Sequence, residues 1–410
     1  MNVLFLTLVD IISINERGIY QDLLREFIKN SHNIYVVSPS ERRYGKETTV
    51  IENDHCKILN VKTGNIQKTN LVEKGISTLL IEHQFVSAIK KYYSNIEFDL
   101  VMYSTPPITF VKSIKYLKRK HNAKTYLLLR DIFPQNAVDL KMFSPKGLIH
   151  RYFRNKEKKL YRISDWIGCM SQANVDYLIK HNPYIDASKI HVSPNSIEPI
   201  EIIVDKASRA KTRQKYNIPL ETKVYIYGGN LGKPQDIPFV VECLKQNQNK
   251  ADRYFVVCGS GTDYHILKTY VDEYKPDNVK LMESLPKNEY DELIGCCDIG
   301  LIFLDKRFTI PNFPSRILSY MENTMPVIAC TDLSTDMGQV IVDGNFGWWC
   351  ESDDASKFTQ IVDNITDEDV TNKGNSARKY LETNYTAEKN HEIIIKNITE
   401  DNRKLNDVQG

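Results

Sequence analysis

The stretch Asn312-Phe313-Pro314-Ser315-Arg316-Ile317-Leu318-Ser319-Tyr320-Met321, followed by Pro326-Val327-Ile328-Ala329, decides the reading of this chain. The first ten residues predict a short helix entered through a Pro-Ser turn, and the four that follow predict a buried strand. Ser315 suits the N-cap, where a hydroxyl accepts an otherwise orphaned backbone N–H. Arg316 comes next, in the first turn, where the helix dipole disfavours a cation. A cation at that place implies that an anion accompanies it. A helix N-terminus together with a guanidinium is phosphate-binding chemistry. The alternative is a plain cap followed by a solvent-facing arginine.

Working outward, the same pairing of amphipathic helix and apolar strand fills the chain. Strands are predicted at Val3–Leu8, Ile34–Ser38, Leu100–Ser104, Thr125–Arg130, Trp166–Met170 and Ile190–Ser193, then at Val224–Tyr227, Tyr254–Cys258, Val279–Met282, Gly300–Leu304 and Val327–Cys330. Helical patterns lie between most of them; Ile19, Leu23, Leu24, Phe27 and Ile28 share one face, for example. Such alternation, with strands apolar throughout, predicts parallel sheets covered by helices on both sides. At 410 residues there is material for two domains of this kind. A break falls at 194–213, where Pro194, Pro199 and the polar run Asp205-Lys206-Ala207-Ser208-Arg209 interrupt the pattern. The expected fold is α/β, two Rossmann-like doubly wound domains facing a central cleft. They are 1–197, completed by a C-terminal helix at 385–410, and 198–384. Ligands of such sheets bind beyond the carboxyl ends of the strands, so the loops there are the candidates. Closure about 195–213 is expected to exclude water from the reaction.

Composition narrows the classes. With 41% hydrophobic and 26% charged residues the chain is ordinary globular material, and no apolar run reaches the ~18 residues that span a bilayer. Asn2–Leu8 enters a strand with no charged segment or cleavage signal ahead of it, so secretion is not expected. The eight cysteines are scattered without a C-x-x-C pair, as for reduced core residues of a cytoplasmic protein. The nine histidines show no ligand spacing. Asp367-Glu368-Asp369 has a D-x-D spelling but reads as a solvated helix start, so no metal and no other cofactor are expected.

Three loops of the second half repeat one theme. Gly228-Gly229-Asn230-Leu231-Gly232-Lys233 follows a strand; its glycines let backbone N–H groups approach phosphate oxygens, although it is neither a P-loop nor a G-x-G-x-x-G fingerprint. Gly259-Ser260-Gly261 follows the next strand, and Asp305-Lys306-Arg307 leads into the Pro314-Ser315-Arg316 turn. Each alone is an ordinary tight turn; together, at strand–helix spacing, they are more specific. In the first half, Arg130-Asp131 ends a buried strand ahead of Phe133-Pro134. Asp131 would orient an acceptor hydroxyl or take its proton, and Arg130 would meet a phosphate; an Arg–Asp pair stitching two loops is the alternative. Arg17-Gly18 opens the first helix.

This order of motifs resembles the GT-B glycosyltransferases of the large retaining family 4, in particular the bacterial enzymes of capsule and O-antigen synthesis. The resemblance runs from Arg17-Gly18 through Arg130-Asp131-Ile132-Phe133-Pro134, Ser193-Pro194-Asn195-Ser196, Gly229–Lys233 and Gly259-Ser260-Gly261 to Pro314–Met321. It implies that the second domain holds a nucleotide-sugar donor, typically a uridine one, and the first holds the acceptor. Asn230, Lys233, Gly259, Ser260, Ser315 and Arg316 would then surround the diphosphate, with Gly18 allowing its close approach. The family's two glutamates, eight positions apart, fall on Pro311 and Ser319 here. Ser319 would bond the ribose in place of the second, and Glu322, on the same helix face at i+7 from Ser315, is a further substitute.

The charge of +2 hides an asymmetry: residues 110–165 hold fifteen Lys/Arg against four Asp/Glu, a balance of +11. Within it, segments 110–120 and 147–162 read as basic amphipathic helices with aromatics, fit for an anionic membrane; a solvated helix face is the alternative. Nucleic acid is not expected, since no binding motif accompanies the charge. The expected protein is therefore a cytoplasmic glycosyltransferase, peripheral at the inner face of the cell membrane. It would move a sugar, an N-acetylated amino sugar by expectation, from a UDP donor to a polyprenyl-diphosphate-linked saccharide. Two rivals stand beside it, a GT-B-type sugar-nucleotide epimerase and a non-catalytic GT-B subunit that activates a partner.

Overall fold

The computed structural model describes residues 1–53, 55–66 and 71–407. The chain divides into two compact units, Met1–Glu198 with Ala387–Gly410, and Pro199–Thr386.

The first unit is built on eight strands: β1 Asn2–Leu6, β2 Asn33–Glu41, β3 Thr49–Asn53, β4 Cys56–Thr63, β5 Leu100–Ser104, β6 Lys124–Leu129, β7 Trp166–Cys169 and β8 Ile190–Val192. They are ordered β3-β4-β2-β1-β5-β6-β7-β8. All neighbours pair in parallel except β3 with β4. β5 is buried at all five positions, as a strand covered on both faces must be. Helix Ile19–Lys29 lays Leu23, Leu24 and Phe27 on the sheet, and the C-terminal helix Ala387–Asp407 adds Ile394 and Ile398 to the same core.

The second unit holds β9 Lys223–Asn230, β10 Arg253–Ser260, β11 Val279–Met282, β12 Ile299–Phe303, β13 Val327–Thr331 and β14 Gly347–Glu351. Their order is β11-β10-β9-β12-β13-β14, parallel throughout. Counted within the unit this is 3-2-1-4-5-6, the dinucleotide-fold order, whose topological switch point lies between β9 and β12. All eight cysteines are buried and free.

The polar run at 205–209 is not a linker. Asp205 accepts the Ser208 N–H at 2.7 Å and so caps the helix Lys206–Lys215. Buried Arg213 on that helix donates to Asp298 at 2.8 Å and to the carbonyls of Cys296, Pro219 and Leu220. The run is therefore part of the second unit.

Candidate active site

At the switch point of the second unit the loops after β9 and β10 are held side by side, because the strands pair as far as Gly229 with Gly259 and Asn230 with Ser260. A Cβ on Gly259 would lie 2.0 Å from the Gly229 carbonyl oxygen, so that position admits no side chain. Gly229 itself has φ +125°, which favours glycine, and a Cβ there would sit 3.1 Å from Arg316 Nη2. Asn230 is exposed and its amide meets that of Gln235 at 2.7 Å. Lys233, also exposed, begins the short turn Lys233–Gln235, which is tied to the exit of β12 by the Asp305 N–H donating to the Pro234 carbonyl at 3.0 Å. Ser260 is exposed, with its Oγ accepting from Ser284 at 3.0 Å.

Arg316 is the centre of this arrangement. Its guanidinium lies over the Tyr227 ring at 4.3 Å. The ionisable groups facing it are the phenols of Tyr227, Tyr320 and Tyr290. No carboxylate of the described residues pairs with it, and its Nη1 is buried without a hydrogen-bond partner. An unmet buried donor costs about 1–3 kcal/mol, which an arriving anion would relieve. Tyr227 also fixes the glycine loop, its hydroxyl donating to the Asn230 carbonyl at 2.8 Å. Tyr320 is anchored beneath by the carbonyls of Ile226 and Leu301, both at 3.2 Å. The three tyrosines hold the cation in place without neutralising it. Sequence reasoning missed them; Tyr227, the last residue before Gly228-Gly229, was the available signal.

Two expectations about this helix are corrected. Ser315 stands at the N-cap but has helical backbone angles, φ −65° and ψ −15°, and its side chain makes no capping bond. The helix Arg316–Glu322 has only seven residues, so the guanidinium rather than the helix end carries the positive charge. Glu322, expected to substitute at the ribose, is engaged elsewhere. It is buried, and its Oε1 accepts the Ile200 N–H at 3.0 Å, which pins the segment entering the unit. Ser319 is half-buried on the middle turn. Asp367 and Asp369 start a helix as read from the sequence, with Thr366 and Asp369 forming a capping box. Among the described residues no group of three His, Cys, Asp or Glu is placed to hold a metal.

In the first unit, Arg130 and Asp131 leave β6 and part company. Arg130 donates through Nη1 to the Ser193 carbonyl at 2.7 Å and through Nη2 to that of Pro194 at 3.3 Å. Two of its three nitrogens are thus held by the loop after β8, while its Nε is buried without a partner; it does not pair with Asp131. The carboxylate of Asp131 instead accepts from Asn136 Nδ2 at 2.7 and 2.9 Å. Thr105 Oγ1 braces the turn, accepting the N–H groups of Arg130 and Asp131 at 2.9 and 3.2 Å. Burial raises the Asp131 pKa from 3.8 to about 7, opposed by bonds from the Ile132 N–H and Asn136. A carboxylate titrating there is matched to proton transfer near neutral pH. Gly18 precedes the first helix as expected, but its N–H donates to Asp22 at 3.0 Å. The carboxylate already fills the place an anion would need.

The basic segments separate. In helix Val111–His121 the stripe Val111, Ile114 and Leu117 is buried against the unit's own core, and Lys118 is held by Asp165 at 2.7 Å. That segment presents no apolar face outward, which corrects the membrane expectation for 110–120. In helix Leu148–Ile163, by contrast, Leu148 is 81% and Ile149 58% exposed, with Tyr152 and the neighbouring Met142 also exposed, among Lys146, Arg151 and Lys159.

Two doubly wound units, one with an unneutralised arginine at its switch-point loops, define the class as a GT-B glycosyltransferase. The family described as Glycosyl transferases group 1 matches residues 208–386, and Glycosyltransferase Family 4 matches residues 19–200. The chain belongs to the family 4, group 1 type of GT-B glycosyltransferases. A probable glycosyltransferase WbjE of Pseudomonas aeruginosa is 21% identical over 321 residues, 78% of each chain. Sucrose-phosphate synthase of Thermosynechococcus elongatus superposes with a TM-score of 0.73 at 15% identity over all of both chains. Anabaena HepE, solved in complex with UDP, superposes at 0.67 with 14% identity, over 98% of this chain and all of that one. The likeness to the two solved structures is one of fold. Family membership sets the transferase above the epimerase and the non-catalytic subunit.

Proposed function

We propose that the chain transfers a sugar from a uridine-diphosphate donor, bound by residues 198–384, to a polyprenyl-diphosphate-linked saccharide bound by 1–197, in surface-polysaccharide synthesis. The observation that carries the donor half is Arg316, a half-buried arginine whose Nη1 is buried and unmet, beside the left-handed Gly229. Arg316 takes the diphosphate, with Lys233, Asn230, Ser260 and Ser315 around it and Ser319 towards the ribose. Gly259 clears the space. HepE, of like fold, was solved with UDP, which supports a uridine donor.

The leaving group departs as a diphosphate anion, and stabilising that charge is the largest catalytic contribution. Arg316 supplies it without a metal ion. The acceptor hydroxyl attacks from the face the diphosphate leaves, with retention of configuration. Asp131 orients that hydroxyl and accepts its proton, while Arg130 positions the loop through Ser193 and Pro194. No helix of the described residues is long and apolar enough to cross a membrane. The exposed start of Leu148–Ile163, apolar side chains among lysines and an arginine, would seat the enzyme on the anionic inner leaflet, where lipid-linked acceptors reside.

The test is transfer itself. Labelled UDP-sugars, N-acetylated amino sugars among them, are incubated with a polyprenyl-diphosphate saccharide in EDTA, and the product linkage is read by NMR. An α-linked product from an α-donor is expected. Interconversion of the nucleotide sugar without transfer would sink the reading.

A further inference from the structure

A cavity of about 120 Å³ lies in the first unit among the helices that follow Asp131. Two of its lining residues adjoin Asp131: Ile132 follows it in the loop, and Gln135 opens the helix Gln135–Asp139. We propose that this cavity, walled by His150, Arg154, Glu157, Tyr177 and His181, is a subsite for an uncharged polar substituent of the acceptor sugar, a hydroxyl or acetamido group. The proposal rests on the transferase reading and adds the acceptor's chemistry to it.

The chemistry follows from which groups are already spent. Glu157 is buried; it pairs with Arg154 Nη1 and accepts from the Tyr161 hydroxyl at 2.8 Å. Arg154 Nη2 donates to the His181 carbonyl at 3.1 Å and to Asn182 Oδ1 at 2.8 Å. Arg154 and Glu157 therefore answer each other, and both Nη groups of Arg154 are already engaged. An anionic substituent would find the Glu157 carboxylate beside it and the Arg154 charge already answered by that carboxylate.

Among the lining side chains, the His150 and His181 rings and the Tyr177 hydroxyl make no hydrogen bond to a described residue. Tyr177 stacks on the His181 ring at 4.2 Å and 23°, giving the cavity a flat wall of the kind a sugar's C–H face or an acetamido methyl packs against. Burial, with Lys180 and Arg154 nearby, holds the His181 pKa below its ordinary value, so that ring is neutral at physiological pH. A cavity of about 150 Å³ admits a benzene-sized ring. One of about 120 Å³ suits a substituent or part of a ring.

Saturation-transfer NMR on the full chain tests this with the methyl glycosides of glucose, N-acetylglucosamine and glucuronic acid. The neutral glycosides should give signals with the wild type and with Arg316→Ala, and lose them in a His150→Ala/Tyr177→Phe double variant. The glucuronide should give none. Neutral signals undiminished in the double variant, or a glucuronide signal as strong as theirs, would overturn the subsite. UDP titration of the same samples separates the two readings and checks the folding of the variant. UDP binding without neutral-glycoside signals defeats the subsite alone; glycoside signals in a wild type that ignores UDP defeat the donor reading and leave the subsite standing.

Discussion

Replacing Asp131 by Asn removes a carboxyl of the first unit whose pKa is lifted to about 7. Its ordinary value is 3.8, and burial is the main cause of the rise. At about 1.4 kcal/mol per pKa unit, ionising Asp131 in the folded chain costs about 4 kcal/mol relative to the unfolded one. The sign follows from linkage. The group's stabilising contribution is full below 3.8 and is lost as pH climbs through about 7. Wild-type stability should therefore fall relative to Asp131→Asn by about 3 kcal/mol between roughly pH 5 and roughly pH 9. The comparison cancels any fixed effect of the amide on the Asn136 contact. Urea denaturation of both proteins across that range reads it directly. In the transfer assay the wild-type kcat/KM should rise with pH to half its limit near 7, and the variant should lose about 10²–10⁴-fold together with that rise. A stability difference that stays flat with pH, or a variant that keeps the wild-type pH profile, would refute the assignment of a neutral-range carboxyl acting as base.

Gly229→Ala should cost about 1–3 kcal/mol of stability because the left-handed backbone is retained under strain, and UDP affinity should fall as the added methyl displaces Arg316; unchanged affinity counts against the juxtaposition. Glu322→Ala should lower stability by about 1.5–3 kcal/mol through the lost charged bond to Ile200, with UDP affinity unchanged; a large loss of UDP binding at full stability would return Glu322 to the ribose. Leu148→Glu with Ile149→Glu should weaken binding to anionic vesicles tenfold or more (about 1.4 kcal/mol per tenfold), and equal sedimentation of the wild type with neutral vesicles contradicts the membrane reading.

Most strands of both sheets were legible because a parallel strand covered on two faces is mainly apolar and buried along its whole length, as Leu100–Ser104 and Val327–Thr331 are. The strands that escaped notice lack that run. β3 lies at a sheet edge with four of five residues exposed, β4 breaks its apolar run with Lys57, Asn60 and Lys62, and β14 carries half-buried Trp348 and Trp349. Segment 110–120 shows a deeper ambiguity: an apolar stripe flanked by lysines suits a bilayer or a protein core equally, and only the fold shows that Ile114 and Leu117 are already covered. What holds Arg130 was hidden for a related reason. Its partners, the carbonyls of Ser193 and Pro194, lie more than sixty residues away and are invisible to local pattern. Arg316 was legible as a cation out of place on a helix, but the tyrosines that hold it come from three separate elements.

The measurement that bears most directly on the central claim is calorimetric titration of UDP into the wild type and into Arg316→Ala. A charge-assisted hydrogen bond is worth about 1.5–3 kcal/mol, so the variant should bind UDP about ten- to a hundred-fold more weakly, with its melting temperature held or raised by removal of the unmet Nη1 donor. UDP affinity equal in the two proteins would contradict the account.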